Sequence, residues 1–474
     1  MTDFRSVSSI ILNTCSPGSY YGKEAHSRLN QIAENLHLTI LDICESYSKI
    51  SLLTHLYDKF DEACFYKLNP SYWRGDENII RIIEVGPSIF RYLVEAALVS
   101  KGKSTKEVDD RILVSLIRMA YFFLQICHYS DYLFYNNFEG GFTVSDDGKI
   151  DFMENQKINR LKQHYLKKIR LRELKILRNI ESGKRSPEFK ELAKSYDEAF
   201  NEKYGIKLST VAEVIETIVR KVTKKLYGSE KTSYKTLIKK VKVKTGLPRS
   251  TVENAISIFE LDDTMLTSSW KYYKIYNITP SVSRQPIIHA SSNMRKSGLV
   301  IFGPSALVRA LSLLFSDIEK GIVDLGEFTK YRMQQRGYEF ERTVRNLLRE
   351  YGFNVAHITN TPSDIGDIDA VAYHEYFKTL FVIEAKSPKM DLSVKKMRWQ
   401  QKRSYEWCVQ LKKKVEWVKN NIGPITKQLA ITKKRVQIQG MIVTEVPVYF
   451  DDSLPFRIFT IDEFELLIKG RFLS

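Results

Sequence analysis

The sequence predicts a multidomain protein with a mainly α N-terminal region, a basic module of two short helices in its middle, and an α/β domain at its C-terminus. Three observations lead there. Apolar residues return every three or four positions through roughly the first 130 residues, as in Ile79–Val99, the period of a helix with one buried face. From Ser233 to Leu261 two such stretches are short, basic and separated by Thr245-Gly246-Leu247. The last third instead mixes one helical stretch with apolar runs of strand length bounded by Gly, Pro and Asn. At 474 residues with 43% apolar and 12% aromatic content, the chain can build more than one core. The expected division is 1–205 for the helical region, 206–325 for the basic module and its connector, and 326–474 for the α/β domain.

Composition narrows the setting. The five cysteines, Cys15, Cys44, Cys64, Cys127 and Cys408, are scattered and odd in number, without a Cys-x-x-Cys pair or zinc-type His spacing. They suit a reducing compartment. The N-terminal stretch lacks the basic head, long apolar core and cleavage site of a secretory signal. The greasiest stretch, Ile112–Cys127, spans 16 residues and contains Arg118, so a buried helix is expected rather than a membrane span. A cytoplasmic protein that does not cross a membrane is therefore expected. The formal charge of +17 is concentrated in two tracts, Asp151–Ser250 and Lys395–Arg435, which points to a polyanionic partner.

Between the helical region and the basic module, Gly140–Met153 alternates around Asp-Asp-Gly, a hairpin signal, and Asn155–Ser182 has the spacing of a long basic helix. The Ser233–Leu261 stretch resembles a helix-turn-helix, with a winged-helix-like module as the broader form. Val241, Leu247, Val252 and Ile256 fall where its two helices would press together. Arg249, Ser250, Thr251 and Asn254 would face outward near the start of the second helix, where such folds read DNA. Lys242 departs from the pattern, occupying the position four before the turn glycine where a small residue is usual. A structural linker domain is the alternative.

The C-terminal third carries the chemistry. Arg336–Phe353 reads as a helix ended by Gly352, with Phe340, Val344, Leu347, Leu348 and Tyr351 on its apolar face. Glu341 shares a side with Val344 and Leu348, so it points to the edge of the core, whereas Glu339 points to water. Strands are expected at Asn354–Ile358, over IDAVAYH and over TLFVIEAK, the last two joined by a turn near Glu375–Lys378. Residues two apart on a strand share a face, so Glu384 and Lys386 project together, and Asp369 on the neighbouring strand can meet them. Ionised groups set into apolar runs need compensation, and oxygen-only ligands of this kind suit Mg²⁺.

Gly337-x-x-Phe340-Glu341 on a helix, Gly366-Asp-Ile-Asp369, then an apolar run ending Glu384-Ala-Lys386, resembles the PD-(D/E)xK nuclease superfamily and its Mrr-like and Holliday-junction-resolvase-like branches, over about residues 331–450. The resemblance implies a restriction-endonuclease-like α/β domain with a central mixed sheet. It implies that Asp369, Glu384 and Lys386 are the catalytic set, that Glu341 is the helix-borne acid, and that Glu341, Asp369, Glu384 and the Ala385 carbonyl hold Mg²⁺ or Mn²⁺. Ile368 stands where the family's name places proline, and Asp367 is an alternative ligand to Asp369. Gln401 and Tyr405 resemble the Gln-x-x-x-Tyr motif of RecB-type members. The implied activity is metal-dependent hydrolysis of DNA phosphodiester bonds, by an endonuclease of restriction, defence or repair. An RNA-directed nuclease and a non-catalytic DNA-binding or regulatory protein on the same fold are the alternatives. A homodimer would supply two centres for a double-strand cut.

Overall fold

The structure is a computed structural model that describes residues 7–69, 77–101, 104–135, 137–153, 187–223, 225–267, 281–290, 298–319, 321–388, 394–431, 436–450 and 453–472. The helix expected over Asn155–Ser182 lies outside them. The chain divides into two compact units, one within Met1–Met153 and Ser186–Leu325, the other within Gly326–Ser474.

The first unit opens with α1 (Val7–Thr14), β1 (Gly18–Tyr21), α2 (Gly22–Glu45), α3 (Lys49–Leu68), α4 (Glu77–Val99) and α5 (Asp110–Tyr135), followed by β2 (Gly141–Val144) and β3 (Ile150–Met153). The N-terminal region is helical, as expected, and the Gly140–Met153 hairpin is formed by β2 and β3, with β1 added at its edge. Its turn closes through Gly148, whose φ of +74° is left-handed. Among the described residues α5 is the one helix long and apolar enough to cross a membrane. Here Leu116, Ala120, Phe123 and Leu133 are buried within the unit, and the Phe123 ring stacks on Tyr92 of α4 at 4.6 Å.

The unit continues with α6 (Pro187–Tyr204), α7 (Leu208–Thr217), β4 (Glu230–Ser233), α8 (Tyr234–Thr245), α9 (Arg249–Ser257), β5 (Glu260–Leu261), α10 (Asp263–Thr267), β6 (Ile287–His289), β7 (Leu299–Phe302) and α11 (Pro304–Glu319). Its sheet has the order β4-β7-β6-β5, with β6–β5 parallel and the other pairs antiparallel. The boundary expected at 205 falls inside this unit. Side chains of α3 explain why, since they bind the backbone of the later segments. The Tyr57 hydroxyl donates to the Pro286 carbonyl at 2.5 Å, and Asp58 accepts from the Ser229 N–H at 2.5 Å. Asp61, buried completely, accepts from the N–H groups of Gly228 at 2.9 Å and Ala306 at 2.6 Å, the second capping α11.

The second unit contains α12 (Glu327–Glu350), β8 (Asn354–Ile358), β9 (Ile368–His374), β10 (Thr379–Lys386), α13 (Val394–Asn420), α14 (Ile422–Gln428), β11 (Gln437–Thr444), β12 (Ile458–Thr460) and α15 (Ile461–Phe472). Its five strands form one mixed sheet in the order β12-β11-β10-β9-β8. β8–β9 and β9–β10 are antiparallel, β10–β11 and β11–β12 parallel. Both faces are covered, so the central strands are apolar on both sides. Val371, Tyr373, Leu380 and Val382 pack against Trp407, Leu411, Val415 and Val418 of α13. Ala370, Ala372, Phe381 and Ile383 pack against Phe340, Val344 and Leu348 of α12 and Phe464 and Ile468 of α15. Gly440 of β11 lets the sheet approach α13, since a Cβ there would stand 2.9 Å from Val415 and 2.7 Å from Phe456.

Asp61→Ala strips the buried N–H groups of Gly228 and Ala306 of their acceptor and is expected to cost about 2–4 kcal/mol in urea unfolding. Asp61→Asn keeps one acceptor oxygen and should lose less.

Candidate active site

Strand pairing assembles the site. Because β9 and β10 are antiparallel, the start of one lies beside the end of the other, with Ala370 opposite Ile383. Asp369 and Glu384 therefore meet at one edge of the sheet. Asp369 is 7% exposed and Glu384 1%. The Asp369 Oδ2 accepts from the Ala385 N–H at 2.7 Å, which locks the carboxylate across the strand gap. Glu384 and Lys386, two apart on β10, share a face, and the Lys386 Nζ stands 2.5 Å from Glu384 Oε1.

A residue that sequence reasoning did not single out completes the cluster. Lys414 of α13, 5% exposed, bonds Glu384 Oε2 and lies 3.9 Å from Asp369 Oδ1. In the sequence it is one of many cations in the basic tract Lys395–Arg435. The signal lay in the apolar register of α13, in which Trp407, Leu411 and Val418 are buried and position 414, seven after Trp407, belongs to the same stripe. Lys412 and Lys413 fall outside that stripe and are exposed.

Glu341 of α12 is half-buried, and its Oε2 stands 3.7 Å from Arg345 Nη1, which also donates to the Asp369 carbonyl at 2.8 Å. Glu341 thus pairs with Arg345 and also acts on the cluster through its charge, repelling the Asp369 carboxylate and attracting Lys386. Asp367 is exposed in the loop before β9, outside the strand that carries Asp369. Gln401 and Tyr405 do not enter the cluster. Gln401 accepts from Arg398, and Tyr405 is 62% exposed, while the buried positions of that turn are Gln400, bonded to the Tyr449 N–H at 3.0 Å, and Ser404. At the rim, Arg336 pairs with Glu445 at 2.9 Å, and Ser387 donates to the same carboxylate.

Burial dominates the electrostatics. It pushes the Asp369 carboxyl up to about 7, helped by repulsion from Glu384 and opposed by Lys386 and Lys414. Burial also acts to lower Lys386, but attraction from Glu384 and Asp369 outweighs it, and the ammonium is held above its ordinary range. The donor set consists of hard oxygens. Among the described residues no group of three or more His, Cys, Asp or Glu side chains is gathered as metal ligands, so the cluster offers two carboxylates. That fits Mg²⁺, which keeps several waters and takes one or two carboxylates from a protein.

In the first unit, Arg249, Ser250 and Asn254 of α9 are exposed and Thr251 is half-buried. Val241, Val252 and Ile256 are fully buried behind them. Gly246 turns the chain between α8 and α9 with a φ of +74°, its N–H bonded to the Lys242 carbonyl at 2.9 Å.

Residues 332–401 match the family model described as restriction endonuclease, of the Mrr catalytic type. The match spans Glu341, Asp369, Glu384 and Lys386 and marks the C-terminal domain as restriction-endonuclease-like, consistent with the Mrr-like branch of the PD-(D/E)xK nucleases. No curated protein and no solved structure matches the chain.

The raised Asp369 carboxyl sets a pH dependence. Its neutral form is favoured by folding, so its stabilising contribution is complete below 3.8 and lost as pH rises to about 7. In metal-free buffer, Asp369→Asn should flatten the decline in melting temperature across that window relative to wild type. An unchanged slope would place the titration elsewhere.

Proposed function

We propose that the C-terminal domain is a Mg²⁺- or Mn²⁺-dependent nuclease that hydrolyses DNA phosphodiester bonds as an endonuclease. The observation that carries this reading is the meeting of Asp369, Glu384 and Lys386 at one sheet edge, inside the segment matched to restriction endonucleases. Asp369, Glu384 and the Ala385 carbonyl would hold the divalent cation. When bound, it supplies acidification of a water and neutralisation of charge on the phosphoryl group. Lys386 lies at the solvent side of the cluster, with its side chain 27% exposed, and is placed to orient a water or contact a scissile phosphate. Arg345 fixes the Asp369 backbone, and Glu341 fixes Arg345. The five free thiols suit work in a reducing compartment such as the cytoplasm.

Substrate contact extends beyond the cluster in this reading. Trp399 of α13 is 48% exposed with the Arg403 guanidinium 5.1 Å over its ring, a pairing suited to a sugar-phosphate backbone and its bases. The helix α7, strand β4, helices α8 and α9, and, after β5 and α10, the antiparallel β6–β7 pair come in the order of a winged helix, which supports a DNA-binding role for α9. A double-strand cut would bring two copies of the chain together.

Plasmid cleavage with Mg²⁺ or Mn²⁺ tests the enzyme reading. Asp369→Ala and Lys386→Ala should each lower the rate by about 100-fold or more. Equal rates in all three proteins would reject the site, and cleavage confined to RNA would reject the substrate. For α9, Arg249→Ala combined with Asn254→Ala should weaken duplex binding. Removal of the arginine should reduce the salt slope by about one if it contacts phosphate.

A further inference from the structure

Lys414 is the strongest feature that the matched segment leaves out, lying beyond residue 401 on the far part of α13. Its ammonium is withdrawn from water on a helix stripe otherwise filled by Trp407, Leu411 and Val418. An apolar residue would pack there without desolvating a charge, so its presence answers to its partners, Glu384 and Asp369. Both Glu384 oxygens are engaged, Oε1 by Lys386 and Oε2 by Lys414. The two lysines differ in freedom. The Lys386 side chain is 27% exposed and can turn to solvent or to a phosphate, whereas that of Lys414 is 7% exposed and fixed by the packing of α13.

We propose that Lys414 is a positioning residue that serves as an internal counter-charge, holding Glu384 and Asp369 toward one point and limiting the positive charge they can still attract. The site would then take a single divalent cation and bind it weakly. This rests on the reading of the cluster as a divalent-cation site. With Lys386 turned away, two carboxylates and one fixed ammonium leave a single net negative charge. Without Lys414 two would remain, and one elementary charge at this range changes cation affinity by about tenfold or more.

The test is Mn²⁺ binding by calorimetry on the full chain, without nucleic acid and at mildly alkaline pH, together with melting temperatures in EDTA and in Mn²⁺. Lys414→Met is expected to bind Mn²⁺ about tenfold tighter than wild type, to melt lower in EDTA, and to gain more on adding Mn²⁺. Lys414→Arg keeps the charge and should keep the wild-type affinity. Should Lys414→Met not fold in EDTA, the Glu384→Gln/Lys414→Met double variant removes both buried partners and should melt above that single variant. Wild-type Mn²⁺ affinity in Lys414→Met, or a double variant less stable than Lys414→Met, overturns the role given to Lys414 while leaving the nuclease reading intact. Absence of Mn²⁺ binding in wild type and variants alike overturns the cation reading, and this inference with it.

Discussion

Two carboxylates placed side by side out of water are the constraint on which the C-terminal domain turns. Antiparallel pairing of β9 and β10 leaves Asp369 and Glu384 no choice but to meet, and the covered faces of the sheet leave them almost no solvent. Desolvating each ion costs several kcal/mol, so the edge holds together only if cations and N–H groups converge on it. Lys386 from the same strand, Lys414 from α13 and the Ala385 N–H meet that demand. The fold does not merely carry this cluster, because the packing of α13 on the sheet brings Lys414 to it.

The two faces of the sheet contribute differently. From the α13 side comes a fixed charge, because Leu411, Val415 and Val418 anchor the helix against Leu380 and Val382. The α12 side contributes Arg345, which binds the Asp369 backbone rather than its carboxylate, and Glu341, which holds Arg345. Parallel pairing of β10 with β11 then brings Glu445 to the same edge, where its N–H donates to the Lys386 carbonyl at 2.9 Å and its carboxylate binds Arg336 and Ser387. The rim around Lys386 is thus braced independently of the carboxylate pair.

Much of this was legible in the sequence because strand parity is strict. β8, β9 and β10 fall where apolar runs end at Gly, Asn and the Glu375–Lys378 turn, and Glu384 and Lys386 had to share a face. Asp367, two residues before Asp369, has the spacing of the same face and stands in the sequence as the alternative ligand. Parity holds only within a strand, and β9 begins at Ile368, so one aspartate is exposed and the other buried. Gln401 and Tyr405 lie outside the cluster for a related reason: a four-residue spacing says that two side chains share a helix face but not which face is turned inward, and here Gln400 and Ser404 hold it. The unity of the first unit across the boundary expected at 205 was invisible because it depends on Asp58 and Asp61 bonding to backbone more than 160 residues away, at separations of 171 and 167. No local pattern encodes such contacts.

Charge by itself says little about which lysines matter, and α13 makes the point within three residues. Lys412 and Lys413 face water and add to the +17, a charge that suits a polyanionic partner, whereas Lys414 turns inward and is spent on two carboxylates. The consequence is electrostatic. Two bare carboxylates would repel an approaching phosphate at the moment when contact is needed. With Lys386 and Lys414 in place the cluster is close to neutral. A lysine buried beside the acids therefore favours substrate approach even though it competes for the charge that a divalent cation would neutralise. Such a site would bind a divalent cation less tightly in exchange for an open path to an anionic substrate.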